Sequence, residues 1–308
     1  MKNIIGEIIV ENGIAFFKEC NDYALIVRNS TAIYKKNNSR KKIGREQLKE
    51  ANKEYEKKEI FSYLNLEKPV ERTIVQDKKT FNKIYTVMKK FTNISLSDIL
   101  HNPCELAKLS IKILEAYQNQ IAKVGYVHLD VKLDNLLIEK NINGEYEVYF
   151  IDIDTTTKRN EKRPRSGTPT MMAPEFYPNN FIRVKRSADI YSLGMLLILL
   201  WNPVLSPSLI YKAKNIDELF KFNEENLKTY SHYNPYLFSE NKNKKLKYHY
   251  LHKDKITEDS KHLLTDTFKK MTHIIPKERG RIKDIIKNFN KIYDDLSQEK
   301  LKLTLESN

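Results

Sequence analysis

The pattern of hydrophobic and polar positions divides the chain into a strand-forming first part and a mainly helix-forming remainder. In the first part, runs rich in β-branched and aromatic residues predict strands at residues 4–10, 14–17, 23–27, 31–35, 73–76 and 83–88. Asn12-Gly13 is typical of a two-residue hairpin turn between the first two runs. A charged stretch with loosely spaced apolar residues predicts one mostly solvated helix over residues 45–64.

The rest of the chain shows mainly the 3.6-residue period of helices. Helices are predicted at residues 96–100, 104–124, 188–201, 262–272 and 281–296, and a charged tail follows residue 298. The run at 188–201 is mostly apolar, which predicts a buried helix that is too short to span a bilayer. Asn143-Gly144 predicts a hairpin between strands at residues 136–139 and 148–151.

Composition limits the classes of protein to which this chain can belong. With 308 residues, 40% of them hydrophobic, and a mean hydropathy of −0.60, the chain can build a sizeable core but has no apolar run of membrane length. Cys20 and Cys104 form no disulfide framework, and the N-terminus lacks a standard secretory signal. We therefore expect an intracellular, cytoplasmic protein, with delivery to another cell by a non-standard signal left open.

The net charge of +14 is the one unusual bulk property. Such a charge attracts nucleic acid, anionic lipid or an acidic protein partner. Because the lysines are spread along the chain, the pattern favours solvated lysine-rich faces over a nucleic-acid interface. Interleaved Tyr and Lys residues between 215 and 260 fit base stacking, but they fit surface rings that pack back onto the domain better. The pattern does not determine an oligomeric state.

The polar residues that follow the helix at 104–124 carry the candidate chemistry. In residues 128–138, HLDVKLDNLLI, Asp130, Lys132 and Asn135 supply an acid, an amine and an amide. A phosphoryl-transfer loop uses such a set: the acid orients the substrate hydroxyl, the amine neutralises the phosphoryl group, and the amide oxygen ligates a metal. Asp152 ends the strand at 148–151 and can add a carboxylate ligand for Mg²⁺.

Three motifs together resemble those of a known family. Residues 128–135 resemble the catalytic loop of protein kinases, HRDLKxxN, with Leu129 in place of arginine, although small-molecule kinases carry a related HxDxxxxN loop. Residues 167–175, GTPTMMAPE, resemble the end of the activation segment of Ser/Thr kinases, which small-molecule kinases lack. Residues 189–194, DIYSLG, resemble the start of the family's central helix. The chain is thus similar to a divergent Ser/Thr protein kinase domain.

The resemblance implies an α+β, bilobal fold, with a small β-rich N-lobe that contains one main helix and a larger, mostly helical C-lobe. It implies an N-lobe at residues 1–91, a C-lobe at residues 92–298 and a tail at residues 299–308. The expected activity is transfer of the γ-phosphate of ATP to Ser or Thr hydroxyls of a protein substrate. The expected metal is Mg²⁺, with Mn²⁺ as the alternative ion.

The resemblance also assigns roles to single residues. Asn135 and Asp152 are expected to hold the metal. Three further contacts are expected: Thr168 with Asp130 and Lys132, Glu175 with Arg279, and Asp189 with the backbone of the catalytic loop.

The nucleotide-binding residues of the first part are less well defined, because residues 1–43 contain only Gly6 and Gly13 and no Gly-rich loop. Residues 31–35, TAIYK, resemble the family's VAIK strand. Lys35 is then expected to bind the nucleotide phosphates, with Lys36 as its competitor and a plain surface lysine as the other interpretation. Its partner is expected to be Glu56, with Glu59 as the alternative. We expect Met88, Lys89 and Phe91 to contact the adenine.

Two departures from the family pattern affect regulation and turnover. Leu129 removes the arginine that usually binds an activation-loop phosphate, which predicts a non-RD kinase with an activation segment at residues 152–175. Constitutive contacts would hold this segment, or an acidic partner would bind its five basic residues, which are Lys158, Arg159, Lys162, Arg163 and Arg165. The missing Gly-rich loop leaves a pseudokinase, an ATP-binding interaction module with little turnover, as the alternative.

Overall fold

The computed structural model describes residues 8–11, 14–17, 23–32, 49, 52–76, 79–89, 91, 94, 96–100, 102–177, 181–201 and 256–306. The chain divides into two compact units. The first comprises Met1–Thr92 together with Ile151–Asp154. The second comprises Asn93–Phe150 together with Thr155–Asn308.

The first unit contains an antiparallel five-stranded sheet with the strand order β1-β2-β3-β5-β4. Its strands are β1 (Ile8–Glu11), β2 (Ile14–Phe17), β3 (Tyr23–Ala32), β4 (Glu67–Gln76) and β5 (Lys79–Lys89). The predicted hairpin between the first two runs is confirmed by the antiparallel pairing of β1 with β2, in which Glu11 lies opposite Ile14.

Two predictions for the first unit differ from the structure. The separate strands predicted at 23–27 and 31–35 are one strand up to Ala32, because residues on both sides of an irregularity between Arg28 and Ser30 pair with β5. The helix predicted over residues 45–64 also ends earlier than expected. Of the described residues, 49 and 52–55 are helical and are called α1, and bonds between residues three apart then tighten the chain into turns and the 3₁₀ helix Ser62–Leu64.

The second unit contains five α-helices among its described residues. These are α2 (Ser97–Leu100), α3 (Pro103–Ala116), α4 (Arg186–Trp201), α5 (Glu258–Met271) and α6 (Ile282–Glu306). Asn102 caps α3, since its side chain accepts hydrogen bonds from the N–H groups of Cys104 and Glu105. The charged tail predicted after residue 298 is helical through Glu306. None of the helices described is long and apolar enough to cross a membrane.

The core of the second unit surrounds α4, which is buried on nearly every side. Gly194 lets α5 approach closely, because a Cβ at this position would lie 2.8 Å from the Cβ of Met271. The buried Trp201 indole donates a hydrogen bond of 3.0 Å to the Ser110 hydroxyl on α3. The C-terminal end of α4 is therefore fixed against α3.

Three two-stranded ribbons in the second unit position the functional residues. They pair β6 (Tyr126–Val127) with β9 (Thr157–Lys158), β7 (Leu136–Lys140) with β8 (Tyr146–Phe150), and β10 (Lys162–Pro164) with β11 (Phe181–Arg183). The predicted hairpin around Asn143-Gly144 is confirmed by the β7–β8 pair. The other two ribbons join segments that are distant in sequence, and the hydrophobic pattern does not predict them.

Candidate active site

The loop at residues 128–135 lies between β6 and β7, and the first turn of α4 fixes its backbone. The fully buried Asp189 carboxylate accepts hydrogen bonds from the N–H groups of His128, at 2.6 Å, and Leu129, at 2.9 Å. Leu129 has a φ of 71°, a conformation that costs a non-glycine residue free energy and that these two bonds help to maintain. Burial raises the pKa of Asp189 to about 6, although both N–H groups act in the opposite direction.

Asp130 is the centre of a dense hydrogen-bond network. Its Oδ1 accepts from the backbone N–H of Thr168 at 2.8 Å and from the hydroxyl of Thr168 at 2.7 Å. Its Oδ2 lies 2.8 Å from the Nζ of Lys132 and 3.0 Å from the Nδ2 of Asn135. Burial alone would raise the pKa of Asp130, but the bonds from Lys132 and Thr168 outweigh it and hold the pKa below its ordinary value.

Lys132 and Asn135 complete this network. The Nζ of Lys132 donates to the hydroxyl oxygen of Thr168 at 3.0 Å, so the threonine contacts both residues, as the family motif predicts. The Nδ2 of Asn135 also donates to the Asp130 carbonyl oxygen at 2.8 Å. Because the amide nitrogen is used in this way, the amide oxygen is the atom of Asn135 that remains to ligate a cation.

A glycine permits the close approach of the activation segment to the catalytic loop. Gly167 has a φ of +111°, and a Cβ at this position would lie 2.2 Å from the Leu129 carbonyl oxygen. Any side chain would therefore force the two backbones apart. The position of Thr168 on Asp130 depends on the residue before it being glycine.

Leu129 is buried where the family motif carries arginine. Its side chain is 5% exposed and belongs to an apolar cluster with residues that end the activation segment and begin α4. The members that flank this junction are Met171, Met172, Ala173, Phe176, Ala188 and Tyr191. Apolar packing thus occupies the place at which an arginine would bind a phosphate.

Glu175, which is partly exposed, and the buried Arg279 form an ion pair that fixes the end of the activation segment. The Arg279 side chain is fully buried and donates to both carboxylate oxygens of Glu175, at 2.8 and 2.6 Å. It also donates to the carbonyl oxygens of Ser187 at 2.8 Å and His273 at 2.7 Å. The pairing predicted from the motif is therefore present, with the guanidinium satisfied on several sides.

The segment with Asp152 shows a feature that the sequence did not indicate. In the first unit, the Nζ of Lys57 donates to the carbonyl oxygens of Ile153, at 2.6 Å, and Asp154, at 3.2 Å. Asp152 itself has a φ of 58°, in the left-handed region. A lysine after α1 thus holds the two residues that follow the candidate metal ligand. No local pattern identifies this lysine, because its partners are backbone atoms almost 100 residues away.

The other candidate nucleotide residues are distributed as follows. Met88 and Phe91 are buried, at 2% and 7% exposed, near the end of β5, where Lys89 is the last residue. Glu56 and Glu59 are exposed, whereas Glu54 on α1 is 1% exposed. Lys35 and Lys36 lie outside the described residues.

Comparison with known proteins identifies the class. A family model of the protein kinase domain matches residues 25–289. The chain is 29% identical to serine/threonine-protein kinase ppk34 of Schizosaccharomyces pombe over 161 residues, which are 46% of this chain and 45% of that protein. It is 26% identical to serine/threonine-protein kinase CLA4 of Candida albicans over 123 residues, 38% of this chain and 12% of that protein. The alignments thus span less than half of each relative's length.

The family match covers most of the chain and begins within β3. The described elements agree with it, since a strand-rich unit is followed by a mainly helical one. This chain belongs to the protein kinase domain family.

Proposed function

We propose that this protein is a Ser/Thr protein kinase that transfers the γ-phosphate of ATP to hydroxyl groups of a protein substrate. The observation that carries the proposal is the hydroxyl of Thr168, which lies 2.7 Å from Asp130 and 3.0 Å from Lys132. This contact couples the activation segment to the catalytic loop. The names of the relatives, which are serine/threonine-protein kinases, support the class of acceptor.

The geometry around Asp130 fits a residue that orients a substrate hydroxyl and accepts its proton. The lowered pKa keeps the carboxylate ionised at neutral pH. Four hydrogen-bond donors from three residues, Thr168, Lys132 and Asn135, fix the orientation of the Asp130 carboxylate, so little rearrangement is needed during the reaction. Lys132 places a positive charge beside this carboxylate, where it can stabilise negative charge on the transferred phosphoryl group.

We propose Asn135 and Asp152 as the ligands of Mg²⁺, with Mn²⁺ as the alternative, because a carboxylate and an amide oxygen are hard donors. The metal would neutralise charge on the ATP phosphates. Among the described residues, no group of three or more His, Cys, Asp and Glu side chains forms a metal cluster. A pair of protein ligands completed by phosphate oxygens is compatible with that finding.

The remaining assignments rest on the family resemblance. Lys35 is proposed to bind the phosphates, and Met88, Lys89 and Phe91 are proposed to contact the adenine. Glu56 is proposed as the acidic partner of Lys35, with Glu59 as the alternative, and both side chains are exposed. We also propose a cytoplasmic location.

We propose further that the activation segment is ordered without phosphorylation. Leu129 packs in an apolar cluster, and backbone pairing holds the segment at β9 and β10. Arg163 donates to the Thr155 carbonyl oxygen at 2.7 Å, and the Thr155 hydroxyl donates to the His128 carbonyl oxygen at 2.8 Å. The Thr155 hydroxyl thus links the segment to the catalytic loop, and the acceptors in both contacts are backbone carbonyl oxygens, so no phosphate is required.

Phosphate transfer from labelled ATP to generic Ser/Thr substrates, with Mg²⁺ or Mn²⁺, tests the proposal. We expect transfer by the wild-type protein, including protein pretreated with a phosphatase, and none by Asp130→Asn. Asp134→Asn is the matched control, because Asp134 lies on the same loop but is exposed. Thr168→Ser should keep more activity than Thr168→Ala, since serine retains the bridging hydroxyl.

The assay also decides between the kinase and the pseudokinase. ATP-dependent thermal stabilisation without phosphate transfer under any of these conditions would support the pseudokinase. Activity that depends on a prior phosphate in the activation segment would instead contradict only the proposal on its ordering.

A further inference from the structure

We propose that five exposed basic residues of the second unit form a docking surface for acidic segments of the protein substrate. The residues, called the basic ribbon below, are Lys158, Arg159, Lys162, Arg183 and Lys185. This inference rests on the proposed kinase activity and names the class of substrate.

The ribbon brings together charges that are separate in the sequence. β10 and β11 pair in antiparallel fashion, which places Lys162 directly opposite Arg183. Two backbone bonds extend the pairing: the N–H of Asn160 donates to Val184 at 2.8 Å, and the N–H of Val184 donates to Glu161 at 2.9 Å. Three of the five charges come from the activation segment and two from the chain that enters α4.

The charges are not neutralised within the described part of the chain. None of the five side chains forms an ion pair among the residues that the structure describes. The nearby carboxylate of Glu161 accepts a hydrogen bond from the Thr157 hydroxyl at 2.8 Å. Like charges that lie opposite each other across two strands are unfavourable. An anionic partner would relieve this repulsion, which is the physical reason for assigning the ribbon to a ligand.

The basic ribbon lies close in sequence to the residues that contact Asp130, which favours a protein substrate as the anionic partner. Three residues separate the end of β10 at Pro164 from Thr168, which contacts Asp130. The four residue steps from Pro164 to Thr168 span at most about 14 Å. An extended peptide with its hydroxyl at Asp130 would therefore place side chains a few positions away within reach of the ribbon. Acidic residues two to five positions from the acceptor should be recognised.

The test compares two synthetic peptides that differ only in charge. One has a Ser acceptor flanked by Glu at positions two to five on either side, and the other has Gln at the same positions. For the wild-type protein we expect kcat/KM to be about tenfold higher for the Glu peptide, since several exposed ion pairs contribute together. Added salt should reduce the ratio, because it screens exposed charges.

Charge reversal identifies the surface responsible. Lys162→Glu combined with Arg183→Glu should abolish or invert the Glu preference. Lys287→Glu combined with Lys291→Glu is the matched control, because both lysines are exposed on α6, and it should keep the preference. Thermal unfolding of both double variants checks that the fold is retained.

The outcomes separate this inference from the proposed function. Equal phosphorylation of the two peptides by an active wild-type protein would overturn the docking surface and leave the kinase proposal intact. An unchanged preference for the Glu peptide in the Lys162→Glu, Arg183→Glu variant would also overturn the docking surface. If the wild-type protein then binds single-stranded RNA and this variant does not, the surface belongs to nucleic acid. Absence of transfer to any substrate would instead contradict the kinase activity itself.

Discussion

Gly167 lies so close to Leu129 that a Cβ at position 167 would be 2.2 Å from the Leu129 carbonyl oxygen. This approach joins the activation segment to the catalytic loop directly before Thr168 contacts Asp130. We predict that Gly167→Ala lowers kcat at least tenfold, because the displaced segment takes the Thr168 hydroxyl away from Asp130. Gly144→Ala is the control, since Gly144 also has a positive φ, of +74°, but nothing lies within 4 Å of its Cβ position. Full activity of Gly167→Ala would show that the two backbones can separate without cost.

Restoring the family arginine at position 129 should damage this protein. Leu129 is 5% exposed in an apolar cluster, so Leu129→Arg would bury a charge without a partner, at a cost of several kcal/mol. We expect a lower thermal unfolding midpoint and no gain of phosphate-dependent activity. Leu133→Arg, at a position that is 37% exposed, should change neither. A stable variant that is activated by phosphorylation would contradict the packing described for Leu129.

The ion pair of the buried Arg279 with Glu175 predicts a large effect on stability. Arg279→Met should lower the free energy of unfolding by about 3–5 kcal/mol, because it removes the partner of the Glu175 carboxylate and the donor to the carbonyl oxygens of Ser187 and His273. In a double-mutant cycle with Glu175→Gln, the two changes should be strongly non-additive. Arg281→Met breaks only an exposed pair with Asp284 and should have no measurable effect. Additive losses in the cycle would mean that the two residues act independently.

The pKa of Asp189 predicts a dependence of stability on pH. Burial raises this pKa to about 6 in the folded protein, above the value of about 3.9 in an unfolded chain. Between these values the folded state binds more protons than the unfolded state, so the contribution of Asp189 to stability decreases as the pH rises from about 4 to 6. Urea unfolding of the wild type and Asp189→Asn across this range should therefore show a wild-type advantage that shrinks with pH. A difference that is independent of pH would exclude the raised pKa.

Lys57 should act as a positioning residue for the segment with Asp152. Lys57→Met removes its bonds to the carbonyl oxygens of Ile153 and Asp154. Charged hydrogen bonds of this kind contribute about 1.5–3 kcal/mol, so the Mg²⁺ concentration for half-maximal activity should rise about tenfold or more. Thermal stabilisation by ATP with Mg²⁺ should decrease in parallel. Lys57→Arg should show smaller changes than Lys57→Met in both the Mg²⁺ requirement and the thermal stabilisation, because a guanidinium also donates to carbonyl oxygens.

The adjacent lysine provides the control for that experiment. Lys58 donates to the Tyr55 hydroxyl at 3.1 Å, and its Nζ lies 4.7 Å from the centre of the Tyr55 ring. Lys58→Met should leave the Mg²⁺ dependence as in the wild type. If both lysine variants shift it equally, the effect reflects general damage to this region and not the contacts of Lys57.

The sequence by itself determined the parts of this protein whose information is local. Asp130, Lys132 and Asn135 lie within six residues, so their motif could be recognised before any fold was known. The same holds for the pairing of β1 with β2, for the hairpin around Asn143-Gly144, and for the apolar run that forms α4. Each depends on residues that are neighbours in the chain, where spacing alone fixes the geometry.

Only the tertiary structure decided the features that depend on contacts between distant segments. The burial of Leu129, the bonds of Lys57 and the pairing of Lys162 with Arg183 all join residues or backbone groups far apart in sequence. The predicted break in β3 was wrong for the same reason, because residues on both sides of the irregularity between Arg28 and Ser30 pair with the distant strand β5. Backbone partners carry no side-chain signature, and burial depends on what packs against a residue, so neither can be deduced from local spacing.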